Sequence, residues 1–213
     1  MKTNNPLEDI QEIRRMMEGS SKFISLSGLS GIFAGLVALT GAAIAYLKIE
    51  NFNKMALHYY ASGNLERKYF NLDLTLIAIA ACVLIIAFAG GVFFTGIKAK
   101  KNGQSIWSPI AYRLLRSFLL PLGFGGLFVI GLYYNNTFHI IAPAMLILYG
   151  MALLNASKYL TVDIKYLALC EMSLGVILTF IPGYGLWFWA FGFGVLHIVY
   201  GAIMYYKYDY KKG

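Results

Sequence analysis

Two ionisable side chains stand inside long apolar runs: Glu171 in LALCEMSLGVIL and His197 in GFGVLHIVYG. An ionisable group in such a setting is costly to bury, which makes it a functional candidate by default. Glu171 precedes Pro182 by 11 residues and His197 follows Tyr184 by 13. At about 1.5 Å of rise per residue both lie some 17 to 20 Å from the short turn between them. If the flanking segments are antiparallel helices, the two side chains share a level and can meet. Ala168 and Gly175 share the face of Glu171, and Gly194, Tyr200 and Gly201 that of His197; small residues there allow close approach. Burial opposes charge on both groups, whereas their mutual attraction favours it. The pattern predicts a proton-sensitive or ligand-binding polar site, with Tyr200 and Tyr149 adding hydroxyls. The competing expectation is a hydrogen bond that joins two helices for about 0.6–2 kcal/mol.

No richer constellation accompanies the pair. His58 and His139 are far from His197 in sequence and suggest no metal site. No Ser-His-Asp order, nucleotide-binding glycine loop or HExxH occurs. Neither a catalytic residue, a metal nor a cofactor is therefore expected. Cys82 and Cys170 fall in apolar runs without a CxxC spacing, so no disulfide framework is expected either. Asp73, Asp163 and Lys165 sit near the ends of apolar runs, where interfacial solvation accounts for them.

The elements that must position Glu171 and His197 follow from composition. The 213 residues are 59% hydrophobic and 13% charged, against about 45–50% and 25% in soluble domains. The apolar residues come in blocks, and about 20 of them in a helix cross a hydrocarbon core of about 30 Å. Spans are predicted over 24–47, 74–97, 114–134, 138–156, 163–181 and 185–206, giving an all-α polytopic bundle. Residues 135–137 and 182–184 leave room only for tight antiparallel hairpins.

Of the 18 lysines and arginines, only Lys48, Lys54, Arg67 and Lys68 fall outside the N-terminal segment, residues 98–116, residues 157–165 and the tail. Cationic residues are retained on the cytoplasmic side during insertion, so both termini are predicted there. Tyr133, Tyr134, Tyr184, Trp187 and Trp189 would mark the outer interface, and Trp107, Tyr205, Tyr206 and Tyr208 the inner one. The net charge of +8 is thus read as topology rather than nucleic-acid binding. The longest outer connection, 48–72, reads as a solvated loop, and the acidic N-terminus predicts an uncleaved first span.

Residues 5–18 predict a short amphipathic helix within a cytoplasmic lead-in, 1–23. Asn5 caps it, Pro6 takes the first position, and Leu7, Ile10, Ile13 and Met17 form its stripe. The six-span domain follows over 24–206 and a basic tail over 207–213. In the first span Ser27, Gly31 and Gly35 recur every four residues, and together with Gly175, Gly194 and Gly201 they predict close helix packing. Gly90, Gly91, Gly123, Gly125, Gly126 and Gly192 are expected to serve the same end. Pro121 and Pro143 each remove a backbone hydrogen bond and predict kinks. LYGMALLNASK and VYGAIMYYK echo one another at the ends of even-numbered spans, so three pseudo-repeated hairpins are a further expectation.

With its acidic lead-in, its SLSGLSG first span and its GFGVLHIVYG last span, the chain is similar to uncharacterised six-span proteins of bacterial inner membranes. In span number and hairpin arrangement it more loosely resembles the bacterial acid-resistance membrane protein family. These resemblances imply a multi-pass protein of the inner membrane and carry no assigned activity. Three functions compete. A noncatalytic module binding lipid, a partner protein through the N-terminal helix, or a second copy ranks first. A small proton-sensitive transporter or ligand sensor using Glu171 and His197 ranks second, and an intramembrane enzyme last.

Overall fold

The computed structural model describes residues 27–63, 65–101 and 107–210, together with residues 10 and 103. The amphipathic helix expected over 5–18 lies outside the described residues apart from Ile10, as does the end of the tail. The described chain is all-helical. Helices α1 (Gly28–Ala61), α2 (Leu65–Lys101), α3 (Pro109–Tyr134), α4 (Phe138–Ala156) and α5 (Asp163–Phe180) are followed by a continuous helical rod. That terminal rod consists of α6 (Gly185–Trp189), a π-helical segment (Ala190–Leu196), α7 (His197–Met204) and a second π-helical segment (Tyr205–Tyr210). Five stretches are long and apolar enough to cross a membrane: Gly28–Ala56, Asn71–Lys101, Pro109–Tyr134, Phe138–Tyr159 and Gly185–Tyr208. Helix α5 differs from these five because its 18 residues include Asp163, Lys165 and Glu171.

Local chemistry explains the boundaries. Ser108 caps α3 by accepting a hydrogen bond from the Ala111 N–H at 3.1 Å, and Pro109 occupies a first-turn position that needs no donor. Inside α3, Pro121 cannot bond the Ser117 carbonyl one turn earlier. The Asn155 side chain of α4 donates to that carbonyl instead, at 2.7 Å. A backbone acceptor orphaned by proline thus becomes an inter-helix tie. Gly183, with φ +98°, makes the tight turn before the terminal rod, a conformation that other residues adopt at a cost.

In cross-section the order runs α2, α1, terminal rod, then α5 and α4, with α3 on the far flank against α4. Both short turns, at 135–137 and 182–184, join neighbouring helices as expected, but the third pair has further partners. Helix α5 packs mainly on α4, and the terminal rod mainly on α1, although one short turn joins the two. Glycines decide these partners. Gly150 and Gly175 meet α5 and α4 backbone so closely that methyl groups there would lie 2.8 Å from the Ala168 and Pro143 carbonyl oxygens, respectively.

The outer loop expected over 48–72 is also corrected, because α1 and α2 continue as helices through it. Tyr46 meets Trp187 at a tilt with ring centroids 5.8 Å apart, and α1 runs on to Ala61. That is about 22 Å of helix beyond the level of Trp187. Gly63, at φ +68°, turns the chain at the tip. Inside this projecting hairpin Phe52 is buried and packs on Tyr69 at 4.6 Å and Tyr59 at 5.9 Å. The Glu50–Lys54 pair at 2.8 Å adds the one-turn spacing that favours helix in water.

Candidate functional site

The site forms where α4, α5 and the terminal rod converge. Glu171 lies on the buried face of α5 with Ala168, Gly175 and Leu178. His197 begins α7, immediately after the first π-helical segment. A π turn holds one residue more than an α turn and often marks a functional position. Glu171 is 0% exposed and His197 7%, and the His197 Nδ1 to Glu171 Oε1 distance is 3.4 Å. The shared level predicted from the two sequence offsets brings the side chains together.

Their bonding is not the simple bridge that proximity suggests. His197 Nδ1 lies 3.0 Å from the Gly192 carbonyl oxygen. A carbonyl only accepts, so Nδ1 carries a hydrogen and donates it there. Nε2 of the neutral ring is then an acceptor, and the Tyr149 hydroxyl donates to it at 2.7 Å. Tyr149 is steadied by edge-on contact with Phe118 at 5.9 Å and by Phe193 at 5.0 Å. His197 thereby ties the terminal rod to α4 and to its own π turn. Neither oxygen of Glu171 receives a hydrogen bond from any described group.

Space for the carboxyl comes from Gly192. A methyl group on that residue would lie 2.5 Å from Glu171 Oε2 and 2.7 Å from Leu146 Cδ2. Sequence reasoning placed Gly192 among the packing glycines and missed that it forms the floor under a carboxyl. The available signal was its offset of five residues from His197, the spacing of one π turn.

Tyr200, expected beside the pair, packs instead on the neighbouring apolar cluster of Leu153, Ala156, Leu160, Ile164, Leu167 and Ala168. Its hydroxyl is buried and makes no hydrogen bond to Glu171 or His197. One further polar group went unforeseen. At the end of the bundle that carries Lys158 and Lys165, the Asp163 carboxylate accepts from Lys207 Nζ at 3.0 and 3.1 Å and from the Tyr208 hydroxyl at 2.8 Å.

The remaining predicted packing residues fall on the opposite face of the rod. Methyl groups on Gly31 and Gly35 of α1 would lie 3.0 Å from Gly201 Cα and 2.5 Å from the Gly194 carbonyl oxygen. Ser27, at the head of α1, is buried. Gly90 meets Phe33 and Gly125 meets Leu148, but Gly91, Gly123 and Gly126 face open space. Among the described residues no group of three or more His, Cys, Asp and Glu side chains is placed to hold a metal ion.

Chemically, the arrangement offers one carboxyl able to take up or release a proton, one imidazole of fixed orientation and one tyrosine hydroxyl. Comparison with known proteins finds no matching family model, no matching curated protein and no matching solved structure.

Proposed function

We propose that the protein is a small proton-sensitive transporter or ligand sensor, in which Glu171 binds and releases a proton next to His197. The observation that carries this reading is the buried Glu171 carboxyl, which no described group supplies with a hydrogen bond. An adhesive polar contact would satisfy the groups it buries, because a buried unpaired charge is expensive. Here the adhesive contacts belong to Tyr149, His197 and Gly192. Glu171 stands outside them, and taking up a proton removes the cost of its charge.

In this proposal all six segments span the membrane, with α5 shielding its polar residues against α4 and the terminal rod. The membrane is a bacterial inner membrane with both termini cytoplasmic. Support for the orientation comes from Lys98, Lys100, Lys101, Arg113, Arg116, Lys158, Lys165 and Lys207, which connectivity gathers at one end of the bundle.

The test is infrared difference spectroscopy of the reconstituted protein between about pH 5 and pH 8. A protonated-carboxyl band that responds to pH and disappears in Glu171→Gln is the expected result. Identical spectra for the two proteins would remove the basis of the proposal.

A second reading, binding of a partner protein or a second copy, draws on the projecting α1–α2 hairpin and on the outward-facing Gly123 and Gly126. Its test is cross-linking from Tyr60, which is 72% exposed near the hairpin tip. Recovery of uncross-linked monomer alone from native membranes would count against it.

A further inference from the structure

A single hydrogen on His197 has two acceptors within reach. Nδ1 stands 3.0 Å from the Gly192 carbonyl oxygen and 3.4 Å from Glu171 Oε1, and the neutral ring carries one hydrogen there. In the structure that hydrogen goes to Gly192, and both Glu171 oxygens are without a hydrogen bond. Such an arrangement suits a protonated carboxyl, which has no charge to compensate. Resting on the reading of Glu171 given above, we infer that His197 is a switch: it bonds the Gly192 carbonyl while Glu171 is protonated and moves that hydrogen bond to Glu171 when the carboxyl ionises.

Charge is what reverses the preference. A hydrogen bond to a carboxylate is roughly twice as strong as one to a neutral carbonyl, and shorter, at about 2.7–2.9 Å. Glu171 Oε1 and Nδ1 need to approach by only about 0.5–0.7 Å from 3.4 Å to reach that length. A buried carboxylate left unpaired is strongly destabilising, whereas a backbone carbonyl carries only a partial charge. Gly192 also lies against Glu171 Oε2, which places the two acceptors side by side. By donating to Nε2 at 2.7 Å, Tyr149 fixes the tautomer with its hydrogen on Nδ1 and anchors the far side of the ring. The ring therefore pivots between acceptors and keeps its place.

The consequence falls on the π-helical segment Ala190–Leu196. The His197 ring braces that segment by bonding the Gly192 carbonyl five residues back. Ionisation of Glu171 removes the brace where, on the opposite face of the rod, Gly194 meets Leu39 of α1. One proton accounts for the change. The carboxyl O–H bond breaks and its proton goes to water, while His197 keeps its own and stays neutral. The titratable groups around the ring are Glu171 from α5, Tyr149 from α4 and, one turn along the rod, Tyr200, whose hydroxyl bonds neither Glu171 nor His197. Against the rod α1 brings Gly28, Gly31, Gly35 and Leu39, none of which titrates, and Phe118 of α3 reaches Tyr149. Asp163 and Lys207 pair with each other, about 12 Å of helix rise from Glu171.

The test is solid-state NMR of the full chain in proteoliposomes, with isotopic labels in glycine carbonyls and phenylalanine nitrogens. Glycines followed by phenylalanine then give a paired signal, and these are Gly192 and Gly123. Gly123 faces open space on α3 and serves as the control. As pH rises through the transition of the Glu171 carboxyl band, the Gly192 signal should shift with the same midpoint while that of Gly123 stays in place. Glu171→Gln keeps the shape of the side chain without its charge and should hold the Gly192 signal at its low-pH position throughout. A Gly192 signal that stays still while the band titrates, or that shifts equally in Glu171→Gln, would overturn the switch and leave Glu171 as a proton site. Absence of any Glu171 band in the wild type would remove both.

Discussion

Against α1 the terminal rod presents Gly194 and Gly201, whereas against α4 and α5 it presents Gly192, His197 and Tyr200. On the first face backbone meets backbone, and Gly35 stands so near that a methyl group would press on the Gly194 carbonyl oxygen. On the second face side chains with protons to exchange are held by two hydrogen bonds and a π turn. Lipid supplies little hydrophobic drive between helices, so adhesion comes from close van der Waals contact. The glycine face provides it and leaves the other face free to hold a polar group at some cost. One helix thus separates close backbone packing from polar contacts by the direction in which each residue points.

Substitutions can break that contrast, beginning with the glycine face. Gly35→Leu should have the largest effect, a loss of about 3 kcal/mol or more, because the clash is with backbone that has no rotamer to yield. A thermal-unfolding comparison in detergent checks this, and a wild-type midpoint would show that the α1 contact is not what holds the rod.

Gly192→Ala should cost less, about 1–3 kcal/mol, since its methyl meets the end of the Glu171 side chain rather than backbone. It should also alter the carboxyl band, which Gly35→Ala should leave in place. Equal effects of the two alanines on that band would erase the distinction between the faces.

Asn155→Leu and Tyr149→Phe should each cost about 0.6–2 kcal/mol, the range for single polar ties between membrane helices. They differ in reach. Asn155→Leu frees only the Ser117 carbonyl in α3, so proton exchange at Glu171 should persist. Tyr149→Phe removes the donor to His197 Nε2 and should slow that exchange. If Asn155→Leu were the slower of the two, the Tyr149–His197 bond would not be what governs exchange at Glu171.

Five of the six expected spans were legible in the sequence as stretches long and apolar enough to cross a membrane, because lipid would impose one rule on every residue of a span. Long uncharged runs such as LTLIAIAACVLIIAFAGG announce themselves. The matched depth of Glu171 and His197 was legible too, since helical rise converts residue offsets into distance. The hairpin at 48–72 was not. Hydropathy reports which solvent suits a segment, and a polar helix that continues beyond an apolar stretch reads the same as a loop. Its helicity depends on pairings such as Phe52 with Tyr69, which join residues on different helices.

What the sequence determined by itself was the solvent of each segment and the positions at which polar residues could meet. Only the tertiary structure decided their partners. Tyr149 rather than Tyr200 bonds His197, Asn155 answers the carbonyl freed by Pro121, and Gly192 makes room for Glu171. The physical reason is that a helix fixes depth to within a residue, but its rotation and its neighbours are set by contacts distributed over other helices. A single turn of π-helix then shifts every later side chain by one residue, a displacement that periodicity along the chain does not reveal.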